Sequence, residues 1–483
     1  MLLLLVSLSA AGPLGYEEAL TTALENNPTL GQSLADLEAA EAAVLGTRGV
    51  YDPQLTMSAG RNWELSQGFT SLPVGNEVFL VPYDTSDTSW TWSAGVSQTL
   101  ATGTSWGLDW SNYSNTTLTS YTVEDMDPVE LQTLTGSTRL TASLTQQLLE
   151  GHSMAYNLQA TRSAQASRDQ AAAQLQQQRQ ETLKAVALAY WELVYASQAR
   201  LTADKAVVVA MEEERIVAAQ LEAGTIAPVD LTRVQAALAQ ARLNAIQAEA
   251  THQAASDALA VLLGLPVGQL IEPQDMPGAV PAGVELNTQD AVQEALEGNP
   301  GLQAQRVAVA NAEADVATAK HALLPSLSVT ARAGLSGFDP QDGYGKAVEA
   351  LSTLDFPTVY VGGNFSAPVG NRSAKADLDA KQASLTRAEL GLEASEQAIA
   401  QQVASLVRTL ESARTTVELA ELNLRLAEQT LDAEKALQEV GKAIQKDVLE
   451  AQRARDAAEV ERVRAAVDYR KALVELMALQ GRL

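Results

Sequence analysis

Residues 17–28 read EEALTTALENNP and residues 289–300 read QDAVQEALEGNP. The two stretches overlap segments 19–60 and 291–332, which align without a gap at a constant offset of 272. Ala19, Ala23, Leu24, Asn27, Pro28, Pro53 and Leu55 meet Ala291, Ala295, Leu296, Asn299, Pro300, Pro325 and Leu327. A second correspondence, at an offset of 217, sets Gly224, Ile226, Asp230 and Ala236 (AGTIAPVDLTRVQAAL) against Gly441, Ala443, Asp447 and Arg453 (VGKAIQKDVLEAQRAR). There the Gly and the Asp are the shared frame. A long internal repeat means one structural plan used twice. The 483 residues therefore divide into two related halves, not the two to four unrelated domains that length alone suggests.

Local chemistry explains the repeated pause. YEEALTTALEN (16–26) is amphipathic, with Glu17 and Glu18 in the first turn, where the helix dipole favours acid. Asn27 then suits an N-cap and Pro28 the first position of the next helix, and Asn299-Pro300 repeats the arrangement. The predicted helices cover 17–48 in the first half and 288–322 in the second. After each, the hydrophobic period changes from 3.6 to 2. In 53–149 the alternation sets Leu55, Met57, Ala59, Trp63 and Leu65 on one side, interrupted by Arg61. Segments 89–100, 104–112 and 137–149 continue it, with a turn at Ala101-Thr102-Gly103. In 325–367 it sets Leu327, Val329, Ala331, Ala333 and Leu335 against Ser326, Ser328, Thr330 and Arg332. Strands with one apolar and one polar face occur in soluble sandwiches and in membrane barrels alike.

Two features favour the barrel. Trp63, Trp90, Trp92, Trp106 and Trp110 all lie in this strand region, as an aromatic belt at a lipid–water interface requires; the competing reading is an aromatic core in a small sandwich. The strands also abut very long helices, predicted over 153–222 and 372–439. About 70 residues at 1.5 Å rise is about 105 Å, which needs neighbours along its whole length and so implies a coiled-coil assembly. Each turns at Gly224 or Gly441 and returns, over 228–263 and 445–480. The domain plan is thus a first repeat (16–263), a proline-rich connector (264–287) and a second repeat (288–483). Too few strands are present for one chain to close a membrane barrel with a lumen, so closure calls for oligomerisation around an axis.

Composition excludes more than it assigns. With 33 basic and 59 acidic residues the formal net charge is −26, unsuited to a nucleic-acid partner. It fits either a solvated acidic surface or a duct lining that favours cations. There is no cysteine, hence no disulfide, thiolate metal site or acylated Cys. Residues 1–11 (MLLLLVSLSAA) resemble the apolar part of a secretory signal peptide, without the usual basic start. No later run reaches the roughly 18 apolar residues a spanning helix needs, so any membrane crossing falls to strands. His152, His252 and His321 are isolated packing or surface residues, and Glu212-Glu213-Glu214 reads as a solvated helix face. No nucleophile elbow, phosphate loop or metal motif is present, so the expectation is no enzyme, no cofactor and no metal.

The helix-hairpin turns are the candidate functional sites. Asp447 and Glu450 are three apart and share a helix face, and Asp230 occupies the matching first-half position. Multiplied by rotational symmetry these carboxylates would form cation-selecting rings at the end of a duct. Helix-start stabilisation is the alternative role, worth up to about 1 kcal/mol.

In this order and twice over, the paired EEALTTALENNP and QDAVQEALEGNP segments and the AGTIAPVDL and VGKAIQKDV turns resemble the TolC-like outer membrane efflux proteins. AYWELVYA (189–196), ALAVLLGLP (258–266), FSAPVGNR (365–372) and TQQLLEG (145–151) add to the resemblance, which runs from Tyr16 to Leu483. It implies an all-α long coiled-coil helical barrel joined to a transmembrane β-barrel, built as a homotrimer with two repeats per protomer. The expected function is an outer-membrane exit duct of a tripartite efflux or type I secretion system. Its partners would be a periplasmic adaptor, an inner-membrane pump of RND, ABC or MFS type, and outer-membrane lipid. The resemblance places a periplasmic gate at Asp230, Asp447 and Glu450, and adaptor docking at the tip residues Gly224, Thr225, Pro228, Gly441 and Lys442. The family's lock also uses a Tyr and an Arg; here Gln438 and Ala443 stand in those positions, so gating by that network is not expected. The first strand region is also longer than the second by roughly fifty residues. The extra hairpin around 89–112 either raises the trimer from about 12 to about 18 strands or projects as a cap. The rival expectation is a non-transporting, elongated coiled-coil structural or adhesin-like envelope protein.

Overall fold

The computed structural model describes residues 13–74, 77–122, 127–276, 287–340, 344–354, 356–440 and 442–483. The signal-like segment 1–11, Gly441 and part of the connector lie outside the described residues. In chain order the elements are α1 (Tyr16–Asn26), α2 (Pro28–Arg48), β1 (Gln54–Val74), β2 (Glu77–Thr99), β3 (Thr104–Tyr121) and β4 (Val129–Gln147). Then come α3 (Met154–Asn157), α4 (Gln159–Glu222), α5 (Pro228–Leu262), α6 (Thr288–Gly298) and α7 (Pro300–His321). β5 (Ser326–Asp339), α8 (Tyr344–Ser352), β6 (Pro357–Ser366), α9 (Arg372–Glu439) and α10 (Gln445–Leu479) complete the chain. The fold is therefore a mixture of long helices and one antiparallel sheet. The described residues form two compact units: one from within 13–39, 168–309 and 388–483, the other from within 40–167 and 310–387.

The helical unit holds two apolar clusters. In the first, Ala19 and Ala23 of α1 pack with Val186, Tyr190 and Leu193 of α4 and Leu259 of α5. In the second, Ala291 and Ala295 of α6 pack with Val403, Val407 and Leu410 of α9 and Leu476 of α10. Position by position these are the same sites at offsets of 272 and 217. Helix α10 serves both clusters, giving Val463, Val467 and Val474 to the first and Ala465, Tyr469 and Ala472 to the second. Burying a Leu or Val of this kind stabilises by about 1.5–3 kcal/mol. The small Ala residues let the helices approach closely.

Each helix pair is pinned by one asparagine. Asn27 Oδ1 accepts from Thr29 N and Leu30 N at the start of α2, while its Nδ2 donates to Leu262 O at the end of α5. Asn299 Oδ1 accepts from Leu302 N, and its Nδ2 donates to Leu479 O at the end of α10. One amide thus caps one helix start and one helix end, satisfying orphan groups at both.

The sheet unit is a six-stranded meander, β1-β2-β3-β4-β5-β6, antiparallel throughout. β1 and β2 pair from Gln54↔Ser97 to Val74↔Glu77, and β2 and β3 from Thr99↔Ser105 to Tyr83↔Tyr121. The hairpin around 89–112 therefore belongs to the sheet, with β2 and β3 lying between β1 and β4. Side chains alternate across a strand, so register assigns faces. Leu55↔Val96↔Leu108↔Ala142↔Ala333↔Val359 form one row, and Met57↔Ala94↔Trp110↔Leu140↔Leu335↔Pro357 the next. The opposite face carries Thr56, Ser58, Gly95, Ser97, Asp109, Ser143, Arg332 and Tyr360 in neighbouring rows.

One expectation is corrected. Segment 325–367, read as strands, also contains α8 between β5 and β6. Tyr344, Ala347, Val348 and Leu351 recur at helical spacing, and this short 3.6 period was overlooked beside the strong alternation around it. Helix α8 lies on the apolar face, where Ala347 is fully buried. Gly337 lets it approach: a Cβ there would sit 1.9 Å from Ala347 O.

Candidate functional site

The two hairpin turns are built alike. After α4, Thr225 N donates to Gln220 O at 3.0 Å, and Gly224 takes φ +73°. After α9, Lys442 N donates to Leu437 O at 2.9 Å. Both bonds have the 6→1 spacing of a helix C-terminal closure, and in the first the left-handed residue is Gly224. Thr225 Oγ1 adds a bond to Gln220 O, and Pro228 sits at the first position of α5 with Ala227 as its N-cap.

The acidic candidates each have a local partner. Asp230, in the first turn of α5, pairs with Arg233 at 3.3 Å. Asp447, in the first turn of α10, accepts from Ile444 N at 3.3 Å, closing the helix start. Glu450 pairs with Lys446 at 3.4 Å, one turn along the same helix. Exposed pairs of this sort contribute little to stability, about 0.3–0.5 kcal/mol. Arg233, one turn beyond Asp230, and Leu449, between Asp447 and Glu450, line one cavity of about 1010 Å³ between α4, α5 and α10. The starts of the two return helices thus border a common space. Further along α10, Arg464 and Lys471 both reach Glu192 of α4. Burial works against the Glu192 charge, yet these two cations hold its carboxyl below the usual carboxylate range.

All five strand tryptophans lie on the apolar face. Trp63 and Trp90 are 64% and 54% exposed, and Val359 and Val361 on the far strand are 79% and 70% exposed. The apolar band crosses the sheet obliquely. Its upper limit is Trp63 and Leu65 on β1 and Trp90 on β2, then drops to Trp110, Leu140 and Leu335, which share a row. Its lower limit falls likewise, from Leu55 on β1 to Leu327↔Phe365 on β5 and β6. A band oblique to the hydrogen-bonded rows is what strands tilted against a flat slab produce. On β5 it runs from Leu327 to Leu335, close to the ~9–11 residues of a tilted membrane strand. Above it, polar groups begin on the same face: Trp110 Nε1 donates to Thr138 Oγ1, which donates to Asn112 Oδ1. Asn112 and Thr138 are 4% and 2% exposed. Tyr344 of α8 stacks edge-on against Trp92, centroids 5.9 Å apart. Sequence reading missed this polar cluster, because an Asn and a Thr in alternating strands are unremarkable until register brings them together.

Among the described residues no helix is long and apolar enough to cross a membrane. Nor do three or more His, Cys, Asp or Glu side chains among them gather into a group that could hold a metal.

The sequence model of the family described as "Outer membrane efflux protein" matches residues 115–265 and 291–482. Among solved structures, the Campylobacter jejuni CmeC outer membrane channel is similar with a TM-score of 0.65 at 15% identity, over 97% of this chain and 86% of that one. The outer-membrane channel OprN gives 0.66 at 17%, covering 97% and 90%. The outer membrane protein VceC from Vibrio cholerae gives 0.65 at 16%, covering 96% of each chain. At such identities the likeness is one of fold. No curated protein matches the chain.

Proposed function

The chain belongs to the outer membrane efflux protein family, and on that footing we propose that it is a passive exit duct of a tripartite efflux or type I secretion system. The observation that carries this reading is the two-faced sheet. An exposed apolar face with an oblique aromatic margin is costly in water and suited to lipid, while the Ser/Thr/Asp-rich reverse suits a wet lumen.

Strands β1 and β6 leave two unpaired edges, which a lone protomer could not leave open in a membrane. Pairing β6 of one protomer with β1 of the next would close a trimer of about 18 strands. The matched cores and the matched Asn27 and Asn299 bonds support two repeats per protomer, hence a helical barrel with pseudo-sixfold repetition. In that assembly Asp230, Asp447 and Glu450 belong to the periplasmic gate. Gly224, Thr225, Pro228, Gly441 and Lys442 form the tips that meet a periplasmic adaptor and, through it, an inner-membrane pump.

Conductance of the purified trimer in planar bilayers tests this reading. Discrete, long-lived current steps are expected. Absence of both a heat-modifiable, detergent-dependent trimer and any single-channel current would instead favour a structural or adhesin-like spacer.

A further inference from the structure

We propose that Arg61, Trp63 and Trp90 form a docking site for the phosphate of a membrane lipid, at the upper margin of the apolar band. The proposal rests on the membrane reading above and adds the chemistry of the lipid contact.

Arg61 breaks the apolar alternation of β1, and register explains where it does so. It pairs with Trp90, which pairs with Ser114, at the level where the apolar band of β2 ends. Among the described residues it is the only basic side chain that any of the six strands presents on the apolar face. Its guanidinium stands over the Trp90 ring, 5.2 Å from the centroid. It is exposed and forms no ion pair among the described residues. On its own face the same row reaches a carboxylate only at Asp339, four strands away. Within the protomer, at ~4.8 Å per strand, that is about 19 Å, too far for pairing. Trp63 follows on the same face in the next row, and its indole N–H is engaged with Ser86 Oγ at 3.1 Å.

A lone arginine at the middle of a lipid-facing strand costs about 2–4 kcal/mol, and close to nothing at the interface. Its position at the band's margin therefore decides the reading. There the guanidinium meets phosphate, which its planar fork grips through two parallel hydrogen bonds. The cation–π contact holds the fork in place before the lipid arrives. The two exposed rings supply apolar area for the top of the acyl chains. In a protein of net charge −26, an isolated cation at this level is a local attraction against the overall field.

Native mass spectrometry of the full chain tests the site, after delipidation in a neutral detergent. The probes are dioleoylphosphatidylglycerol and a neutral galactolipid with the same acyl chains. Wild type should retain at least one more phosphatidylglycerol per protomer than R61A, with roughly tenfold weaker binding in the variant, as loss of one charge-assisted contact implies. R61K should keep part of the preference, since lysine holds the charge without the fork. Equal retention by wild type and R61A would overturn the proposal. So would equal binding of the galactolipid, or displacement by millimolar inorganic phosphate, which would mark a free-anion site. Bilayer conductance of R61A, measured in parallel, should match wild type. Absence of conductance in wild type would sink the channel reading, whereas intact conductance without lipid preference would sink this site alone.

Discussion

Asn27 and Asn299 each do with one side chain what usually takes two. Substitution separates the functions: Asp keeps the oxygen that caps α2 but cannot donate to Leu262 O, and Ala loses both. N27A should lower stability by about 1–2 kcal/mol and N27D by less, measured as the shift in denaturation midpoint. If N27D were as damaging as N27A, the amide donor rather than the cap would dominate. The capping role was legible from Asn-Pro; the donor role was not, because its acceptor lies 235 positions away. His252 makes a second case at this scale. It is fully buried with both ring nitrogens unpartnered, and Glu272 Oε2 lies 3.9 Å from Nε2. Burial, the largest cause, pushes its pKa below the ordinary 6.5; Arg200 acts in the same direction, and Glu272 and Glu249 oppose it. The unfolded chain therefore binds the proton more readily. The His252 contribution is intact above pH 6.5, is lost as pH falls through that value, and levels off below the folded-state pKa. The melting temperature should drop on acidification across that window, and H252L should flatten the dependence. An unchanged slope in H252L would assign the acid response elsewhere.

Among the elements, α8 shows how tertiary context uses a short segment. Nine residues with one apolar stripe are too few for an independent helix. Here the helix has a seat: Gly337 admits its backbone, and Asn112 and Thr138 beneath it are shielded from a face that is otherwise apolar. G337V should displace α8, because the added side chain would occupy the position of Ala347 O. Brominated lipids should then quench Trp92 and Trp110 more strongly, with little change at Trp63 and Trp90, read in single-Trp variants. Unchanged quenching would mean that α8 does not screen those rings. The helix tips are the opposite case. Gly224, Pro228 and Asp230 carry start and stop chemistry in their own sequence, so their turn was readable without any long-range contact.

For the whole molecule, charge and symmetry set the expected behaviour. Asp447 and Glu450 spend part of their charge on Ile444 N and on Lys446, contacts of small energetic weight. Replacing both by Ala should therefore cost little stability while raising single-channel conductance or weakening block by divalent cations, recorded in planar bilayers. Currents indistinguishable from wild type would detach these residues from the gate. By itself the sequence determined what depends on neighbours within a few turns: the Asn-Pro pauses, the hairpin turns, the long unbroken helices and the alternating strands. The duplicated pattern also carried the family resemblance. Only the tertiary structure decided that the 89–112 hairpin joins the sheet, that all five strand tryptophans share one face and that α8 lies against it. Only there does the apolar band run obliquely and leave Arg61 at its margin. The physical reason is register: strand pairing couples residues tens to hundreds of positions apart, and a one-residue slip would exchange the two faces.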